Sequence, residues 1–479
     1  MCSKYDCGEP VLSVSDPALI KQILVKEFHV FHNRFNRVIK VIDAKGLVNA
    51  RDGDWKRIRL IASPAFTSSK LKRMYPLIDE CCGDFLAALD RHVSASGRTK
   101  VDFKRVTGAY GLDVIARTAF ATKCNPYSCD TSDPFVMKAE LISGYETPHI
   151  WRDILPMILP TFVINNRLWK WLATIGSGGG GGAMDPKFFN NVIKHLISER
   201  KESVDKHNDF LQLLIDVERE DNTNTTTTTG ADSVATDASE GHHVNEGVDE
   251  LMAEKRALSG VVEKRLTTDE IVAQCDIFFM AGYETTASTL SYCTYELALN
   301  PDIQDRLVAE TRAAFNETTG DIDYDTLCRL PLLDAVISET LRKYPPVIEI
   351  SREASKDVVL SAGSGGPTVM IEKGMMAHIP VYAIHHSPDN YPDPEAFKPD
   401  RFLPHNRSQI KPYTYLPFGS GPRNCVAMRF ALLESKLALV KMIQQFRFYR
   451  VPNTEVPIRF RKRRLLLQAE SVVVGVVQR

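Results

Sequence analysis

No stretch of the 479-residue chain reaches the roughly 18 uninterrupted apolar residues that a membrane-spanning helix needs, so no span is predicted. Nor does the start, MCSKYDCGEPVLSVSDP, carry the basic and apolar regions of a secretion signal. Neither sign of charge predominates: 59 Lys and Arg stand against 60 Asp and Glu, a formal net charge of −1. A nucleic-acid binder usually shows a basic excess. A disordered chain combines low hydrophobicity with high net charge. At 44% hydrophobic and 25% charged residues, the chain is neither. Cysteine is sparse, with 10 residues, and no two are spaced C-x-x-C, which excludes zinc-ribbon and thioredoxin-type chemistry. The thiols are therefore expected to be mostly reduced, in a cytosol-like environment. What remains is an ordinary globular composition, long enough for one large domain or a few smaller ones.

Pattern along the chain is mostly helical. Pro10 to Val14 alternates like a strand, and Ser15 with Pro17 reads as a helix start. From Asp54 to Thr122 apolar residues recur at three-to-four spacing. Thr267 and Glu270 form a T-x-x-E capping box, and the helical pattern that follows runs to about Asn300, where Pro301 closes it. A helix that long, roughly 45–50 Å, is the spine of a large helical fold. Further helices are predicted over Pro301–Phe315 and Leu332–Lys343. Short strands follow in VVLSAG, TVMIEKG and MMAHIPV, then a proline-rich loop region, then a helix beginning near Cys425. The tail SVVVGVV reads as a strand. The Gly-rich run 176–182 reads as a flexible connector, and residues 218–260, rich in Thr, Asp and Ser, as a disordered insertion. Residues 154–175, apolar and carrying Trp169 and Trp171, are open to two readings: a buried segment, or a peripheral membrane contact.

The most informative segment is Pro417-Phe418-Gly419-Ser420-Gly421-Pro422-Arg423-Asn424-Cys425-Val426-Ala427. A Gly-rich turn places the Cys425 sulfur at or just before a helix N-terminus, where the helix dipole favours thiolate over thiol. Gly419 and Gly421 allow backbone N–H groups to approach the sulfur. Such a thiolate can be an axial ligand to haem iron, and thiolate ligation donates electron density that suits oxygen activation. Arg423 lies within reach of a haem propionate. A cysteine after a glycine turn is, taken alone, more often a buried packing thiol. The full pattern F-x-x-G-x-R-x-C-x-A is far more specific.

Four further motifs occur in an order that resembles the cytochrome P450 family. They are Trp55-Lys56-Arg57-Ile58-Arg59 (W-x-x-x-R), Ala281-Gly282-Tyr283-Glu284-Thr285-Thr286 (A-G-x-[DE]-T), Glu339-Thr340-Leu341-Arg342 (E-x-x-R) and Pro399-Asp400-Arg401-Phe402 (P-x-R-F). The phrases AGYETT, PDPEAFKPDRF and PFGSGPRNC look most like the branch holding the vertebrate 3A subfamily and thromboxane synthase. The resemblance spans nearly the whole chain and implies a mainly α fold with a minor β component, its long central helix lying over haem b.

By that resemblance Cys425 is the axial ligand of the haem iron, within a binding loop that includes Phe418, Gly421 and Arg423. Trp55, Arg59 and Arg352 look like further cofactor-binding residues, with Arg34 a weaker propionate candidate. Ala281 and Thr285 share a helix face; Thr285 and Glu284 take the catalytic, proton-handling roles, and Gly282 leaves room for a ligand. Glu339, Arg342 and Arg401 form a structural charge network. The implied activity is a haem-thiolate monooxygenase that inserts one oxygen atom from O2 into an apolar organic substrate of xenobiotic, steroid or lipid type. Its implied partners are NADPH-cytochrome P450 reductase and cytochrome b5, on the cytosolic face of the endoplasmic reticulum membrane. A basic surface of Lys56, Arg57, Lys70, Lys72, Arg429, Lys436 and Lys441 is expected to dock the reductase. Two alternatives stand beside this: a peroxide isomerase of the thromboxane-synthase type, which has no use for the Thr285 hydroxyl, and a non-catalytic, truncated haem protein. Two departures from the family pattern stand out. Ala427 replaces the usual Gly, and the chain begins inside the first strand region, where a missing edge strand would leave its neighbour's backbone unpaired.

Overall fold

The computed structural model describes residues 2–6, 9–34, 44–94, 98–127, 135–136, 186–203, 209–219, 247–261, 265–316, 318, 320–361, 368–462 and 466–479. The segments 154–175 and 176–182 singled out above, and residues 220–246 of the expected insertion, lie outside them. Strands β1 (Cys2–Asp6) and β2 (Glu9–Ser13) pair antiparallel along their full length, Cys2 opposite Ser13. The edge expected to be missing is therefore supplied by the chain itself. Helix α1 (Pro17–Lys21) is capped by Asp16 rather than Ser15: the Asp16 carboxylate accepts from the N–H groups of Ala18 and Leu19 at 2.9 and 3.0 Å. A carboxylate at this position serves the free N–H groups of a first turn well. One π-helical stretch, Gln22–Lys26, continues it.

The band expected to be helical resolves into α2 (Asp52–Ala62), α3 (Ser68–Ser94) and α4 (Phe103–Phe120), interrupted by β3 (Arg98–Asp102). Helices α5 (Pro186–Glu202), α6 (Phe210–Arg219) and α7 (Val248–Leu258) follow. The last two correct the boundaries of the expected disordered insertion. Glu218 belongs to α6, and 248–258 is folded because Glu250, Ala253, Glu254 and Ala257 recur at helical spacing on the face turned to the protein.

Helix α8 (Thr268–Leu299) is the predicted spine. Its capping box is complete: the Thr267 hydroxyl accepts from the Glu270 N–H, and the Glu270 carboxylate accepts from the Thr267 N–H at 2.8 Å. Its 32 residues span about 48 Å, and most of them are buried. Against it lies α4, and the crossing is close because three glycines line it. A Cβ at Gly282 would sit 2.4 Å from Ile115 Cδ1, and one at Gly111 would sit 3.2 Å from the Tyr283 carbonyl oxygen. Gly282 thus makes room for α4, not for a ligand as the sequence suggested. Gly108, similarly, faces the Tyr283 hydroxyl at 3.2 Å.

The remaining helices are α9 (Pro301–Arg312), α10 (Tyr324–Cys328), α11 (Pro331–Lys343), α12 (Val381–His385) and α13 (Met428–Gln445). Between them run β4 (Ile350–Glu353), β5 (Val358–Ser361), β6 (Thr368–Ile371), β7 (Met376–Ile379), β8 (Phe446–Tyr449) and β9 (Val473–Gln478). They form small sheets of order β1-β2-β7-β4, β3-β9-β8 and β5-β6. Among the described strand pairs only β2–β7 is parallel. The fold is mainly α with a minor β part, as expected. The largest apolar core joins α2, α3, α4, α8, α11 and α13. A second core, with Leu19, Ile23, Leu24, Ile379 and Leu416, fixes the first sheet beneath the loop that leads to Cys425.

Candidate functional site

The loop before α13 folds back on itself. Its Asn424 N–H donates to the Gly421 carbonyl and its Cys425 N–H to the Phe418 carbonyl, each at 2.9 Å. Gly419 and Gly421 both have positive φ, 75° and 71°, a conformation that side chains strain. At Gly421 space is decisive as well: a Cβ there would lie 2.0 Å from the Leu24 carbonyl oxygen. That glycine lets the loop lie on the π-helical stretch. Helix α13 begins at Met428, three residues past the sulfur.

Among the cysteines whose side chains are described, all unbridged, Cys425 alone is exposed. Yet its surroundings are desolvating. Burial pushes its thiol above the ordinary range, opposed by the Ala427 N–H and by the Arg59 and Arg34 charges. Burial thus opposes the dipole advantage expected for the thiolate, whereas coordination to a metal would deprotonate the thiol. A sulfur in low dielectric that still presents free surface is what a ligand slot requires.

Cations crowd the same region. Trp55 and Arg59 share a face of α2 and are both buried. Trp55 packs on Phe28, ring centroids 5.4 Å apart, and the Arg423 guanidinium carbon lies 4.7 Å from the Trp55 ring centroid. Arg59 donates to the Asn424 carbonyl at 2.9 Å and to its side-chain oxygen at 2.6 Å. Arg34 donates to the Arg423 carbonyl at 3.1 Å, and β4 carries the buried Arg352 into the group. Burial and the neighbouring guanidiniums depress Arg423 to about 7 and Arg352 to about 9. Guanidinium groups do not give up their proton in proteins, so the depression measures missing counter-charge. Arg423 Nε and Nη1, Arg352 Nε and Arg59 Nε have no hydrogen-bond partner among the described residues. Such buried, orphaned donors cost about 1–3 kcal/mol each, more when charged. They fit a ligand bearing two carboxylates, as haem does.

Helix α8 carries an accessible face of its own. Ala281 is exposed and Thr285 partly so, on a helix otherwise largely buried. The Thr285 hydroxyl donates to the Ala281 carbonyl at 2.6 Å, which leaves its oxygen free to accept. Glu284 is buried, and the Ser288 hydroxyl lies 3.4 Å from its Oε1.

The expected charge network forms. Arg342 donates twice to the Glu339 carboxylate, at 2.8 and 2.9 Å, and Arg401 Nε is 3.5 Å from Glu339 Oε1. Further donors go to backbone carbonyls: Arg342 to His385 at the end of α12 and to Pro394, at 2.9 and 2.7 Å, and Arg401 to Asp393 at 3.0 Å. Sequence reasoning missed His385, which carries no motif. Its Nε2 accepts the Leu416 N–H at 2.8 Å, and its Nδ1–H donates to the Arg342 carbonyl at 3.0 Å. It thereby ties the network to the residue just before the Cys425 loop. Asn424 was also missed, although its place beside the cysteine is a signal of sorts.

The basic surface is smaller than expected. Lys436 is 1% exposed and paired with Asp334 at 2.9 Å, so it offers no charge to a partner. Lys441 is held by Asp79, and Arg57 by Glu270 and Asp54. Lys72 stays exposed beside Asp325.

Fold and site together are those of a haem oxidoreductase: one accessible sulfur, buried arginines short of counter-charge and a long helix with an accessible small-residue face. The cytochrome P450 family model matches residues 1–476. The chain is 36% identical to cytochrome P450 3A11 of Mus musculus and 35% identical to cytochrome P450 3A2 of Rattus norvegicus, each over 99% of this chain and 84% of the relative. Cytochrome P450 3A7 of Homo sapiens is 35% identical over 98% of this chain and 83% of its own length. The chain belongs to the cytochrome P450 family. It is a haem monooxygenase, carrying haem b and drawing electrons from a reductase partner.

Proposed function

We propose that the chain inserts one oxygen atom from O2 into an apolar organic substrate of xenobiotic, steroid or lipid type, with electrons passed from NADPH through a flavoprotein reductase at the cytosolic face of the endoplasmic reticulum membrane. The observation that carries this reading is the accessible Ala281–Thr285 face of α8, where a hydroxyl stands ready among apolar neighbours. From Ile277 to Tyr283 the helix bears no charged side chain, so this face favours an apolar guest and excludes bulk water.

Bound haem supplies the oxidative chemistry. The chain's part is fourfold. Cys425 would hold it through its sulfur. Arg352, Arg423 and Arg59 would hold the carboxylates through donors that find no partner among the described residues, with Arg34 beside them. Ala281 keeps the accessible face of α8 low. Thr285 holds a proton at its Oγ1, shared with the Ala281 carbonyl, and Glu284 is a neighbouring ionisable group from which that proton is replaced.

The test is turnover of purified holoprotein with a diflavin reductase and NADPH, after candidate substrates are screened by their shift of the haem spin state. NADPH oxidation coupled to an oxygenated product supports the reading. Rearrangement of a lipid peroxide without reductant would replace it with the isomerase. Thr285→Ala is expected to keep NADPH oxidation while lowering product per NADPH several-fold; unchanged coupling would remove Thr285 from its role.

A further inference from the structure

Helix α7 lies on the outer side of the Cys425 loop. Glu250 Oε1 accepts from the Ser420 hydroxyl at 2.6 Å, and Ser420 belongs to that loop. Glu254 Oε1 lies 3.6 Å from Arg59 Nη2, and Arg59 is the residue that clasps Asn424 next to the sulfur. Asp249 Oδ2 is 2.6 Å from Lys21 Nζ, at the head of the π-helical stretch on which Gly421 rests. Ala253 reaches the second core and Ala257 the first. Two carboxylates of one helix thus meet cations around the ligand loop, and a third meets a hydroxyl of the loop itself.

We propose that α7 is a tethered acidic helix that competes with the electron-donating partner for the Cys425 face. The proposal rests on the reading of this chain as a reductase-dependent monooxygenase. Electrons reach the haem most directly through the loop that holds its ligand, and transfer falls steeply with distance. A helix with its side chains is about 10–12 Å across, so a seated α7 holds a donor back by that much. It also neutralises Lys21, a partly exposed charge that would steer an acidic flavoprotein to this face.

Several features suit α7 to reversible seating. Its Asp249–Lys21 contact is solvent-exposed, with 59% and 32% of the side chains accessible, and exposed pairs hold weakly. Its other side carries Val248 and Met252, 72% and 59% exposed, so none of the described residues clamps it from outside. Residues 259–267 join it to the cap of α8, which keeps a displaced helix close and able to return.

Two variants and one labelling experiment test this. Asp249→Ala/Glu250→Ala removes two of the carboxylates, and Ala253→Pro breaks the helix without touching the charges. Both are expected to speed haem reduction by a soluble diflavin reductase and NADPH at low salt, read as formation of the ferrous–carbon monoxide complex, on the order of tenfold if α7 is seated nine-tenths of the time. Reduction by dithionite is expected to be unchanged. Hydrogen exchange over 248–258 should quicken when the oxidised reductase is added. Equal or slower enzymatic reduction in both variants, or exchange slowed by the reductase, overturns the role of α7 alone; slower reduction would make the helix part of the docking platform. Dithionite reduction with no flavoprotein reduction in any form, wild type included, overturns the reductase-dependent reading and this proposal with it.

Discussion

Arg423 lies over the indole of Trp55, its guanidinium carbon 4.7 Å from the ring centroid. Loop and helix α2 are thereby joined beside the sulfur by a contact worth about 0.5–2 kcal/mol. Arg423 Nη2 donates to the Ala50 carbonyl, while Nε and Nη1 find no partner among the described residues.

Arg423→Gln removes a cation from a group short of counter-charge. A lost charge-assisted hydrogen bond is worth about 1.5–3 kcal/mol, or roughly ten- to hundredfold in affinity. Haem transfer to an apo-globin acceptor should therefore quicken by about that factor. Arg423→Lys, which keeps charge but not the planar fork, should fall between. Equal transfer rates in wild type and Arg423→Gln would remove Arg423 from the cofactor site.

Glu339 is fully buried and carries the charge for two arginines. Glu339→Ala strands Arg342 in the core, at a cost of about 3–5 kcal/mol, a large share of a domain's stability. Little folded holoprotein should be recovered. A haem-loaded Glu339→Ala chain with a wild-type melting temperature would contradict the structural role.

His385 gives a pH dependence. Burial lowers it from its ordinary 6.5 to about 3, so the folded chain keeps it neutral while the unfolded chain takes up a proton below pH 6.5. Its contribution is fully present above that pH and is lost progressively as pH falls toward 3. At pH 5 the loss is about 2 kcal/mol. His385→Gln should flatten the slope of unfolding free energy against pH between 6 and 4 by close to one proton. An unchanged slope would mean the imidazole charges in place.

Gly282 is read here as a packing residue. Gly282→Ala should destabilise by about 1–3 kcal/mol through overpacking, because the new methyl meets Ile115 Cδ1 at 2.4 Å. Ile115→Val removes that carbon, so the double variant should recover part of the loss. Strict additivity in the double-mutant cycle would count against the contact.

Much of this was legible in the sequence. The capping box at Thr267, the proline after Asn300 and the glycine-flanked cysteine are local signals, and each element lies where its signal put it. Glu339 and Arg342 are one turn apart, so their pairing could be read directly, whereas Arg401 and Arg352 needed the family resemblance because a fold brings them in from afar. What stayed hidden was non-local. β3 exists because β9 pairs with it, and His385 matters because Leu416 and Arg342 flank it. Low complexity over 218–260 masked a helix whose face is defined only by the surface it meets. Lys436 looked like a surface charge until its neighbour Asp334 was placed.

The central claim is that the Cys425 sulfur holds the haem iron. Its most direct measurement is the absorption spectrum of the reduced holoprotein under carbon monoxide. Thiolate ligation predicts the long-wavelength Soret band particular to sulfur-bound haem in the wild-type chain, and its loss in Cys425→Ser. A wild-type spectrum at the shorter wavelength of nitrogen-ligated haem, or one that Cys425→Ser leaves unchanged, would contradict it.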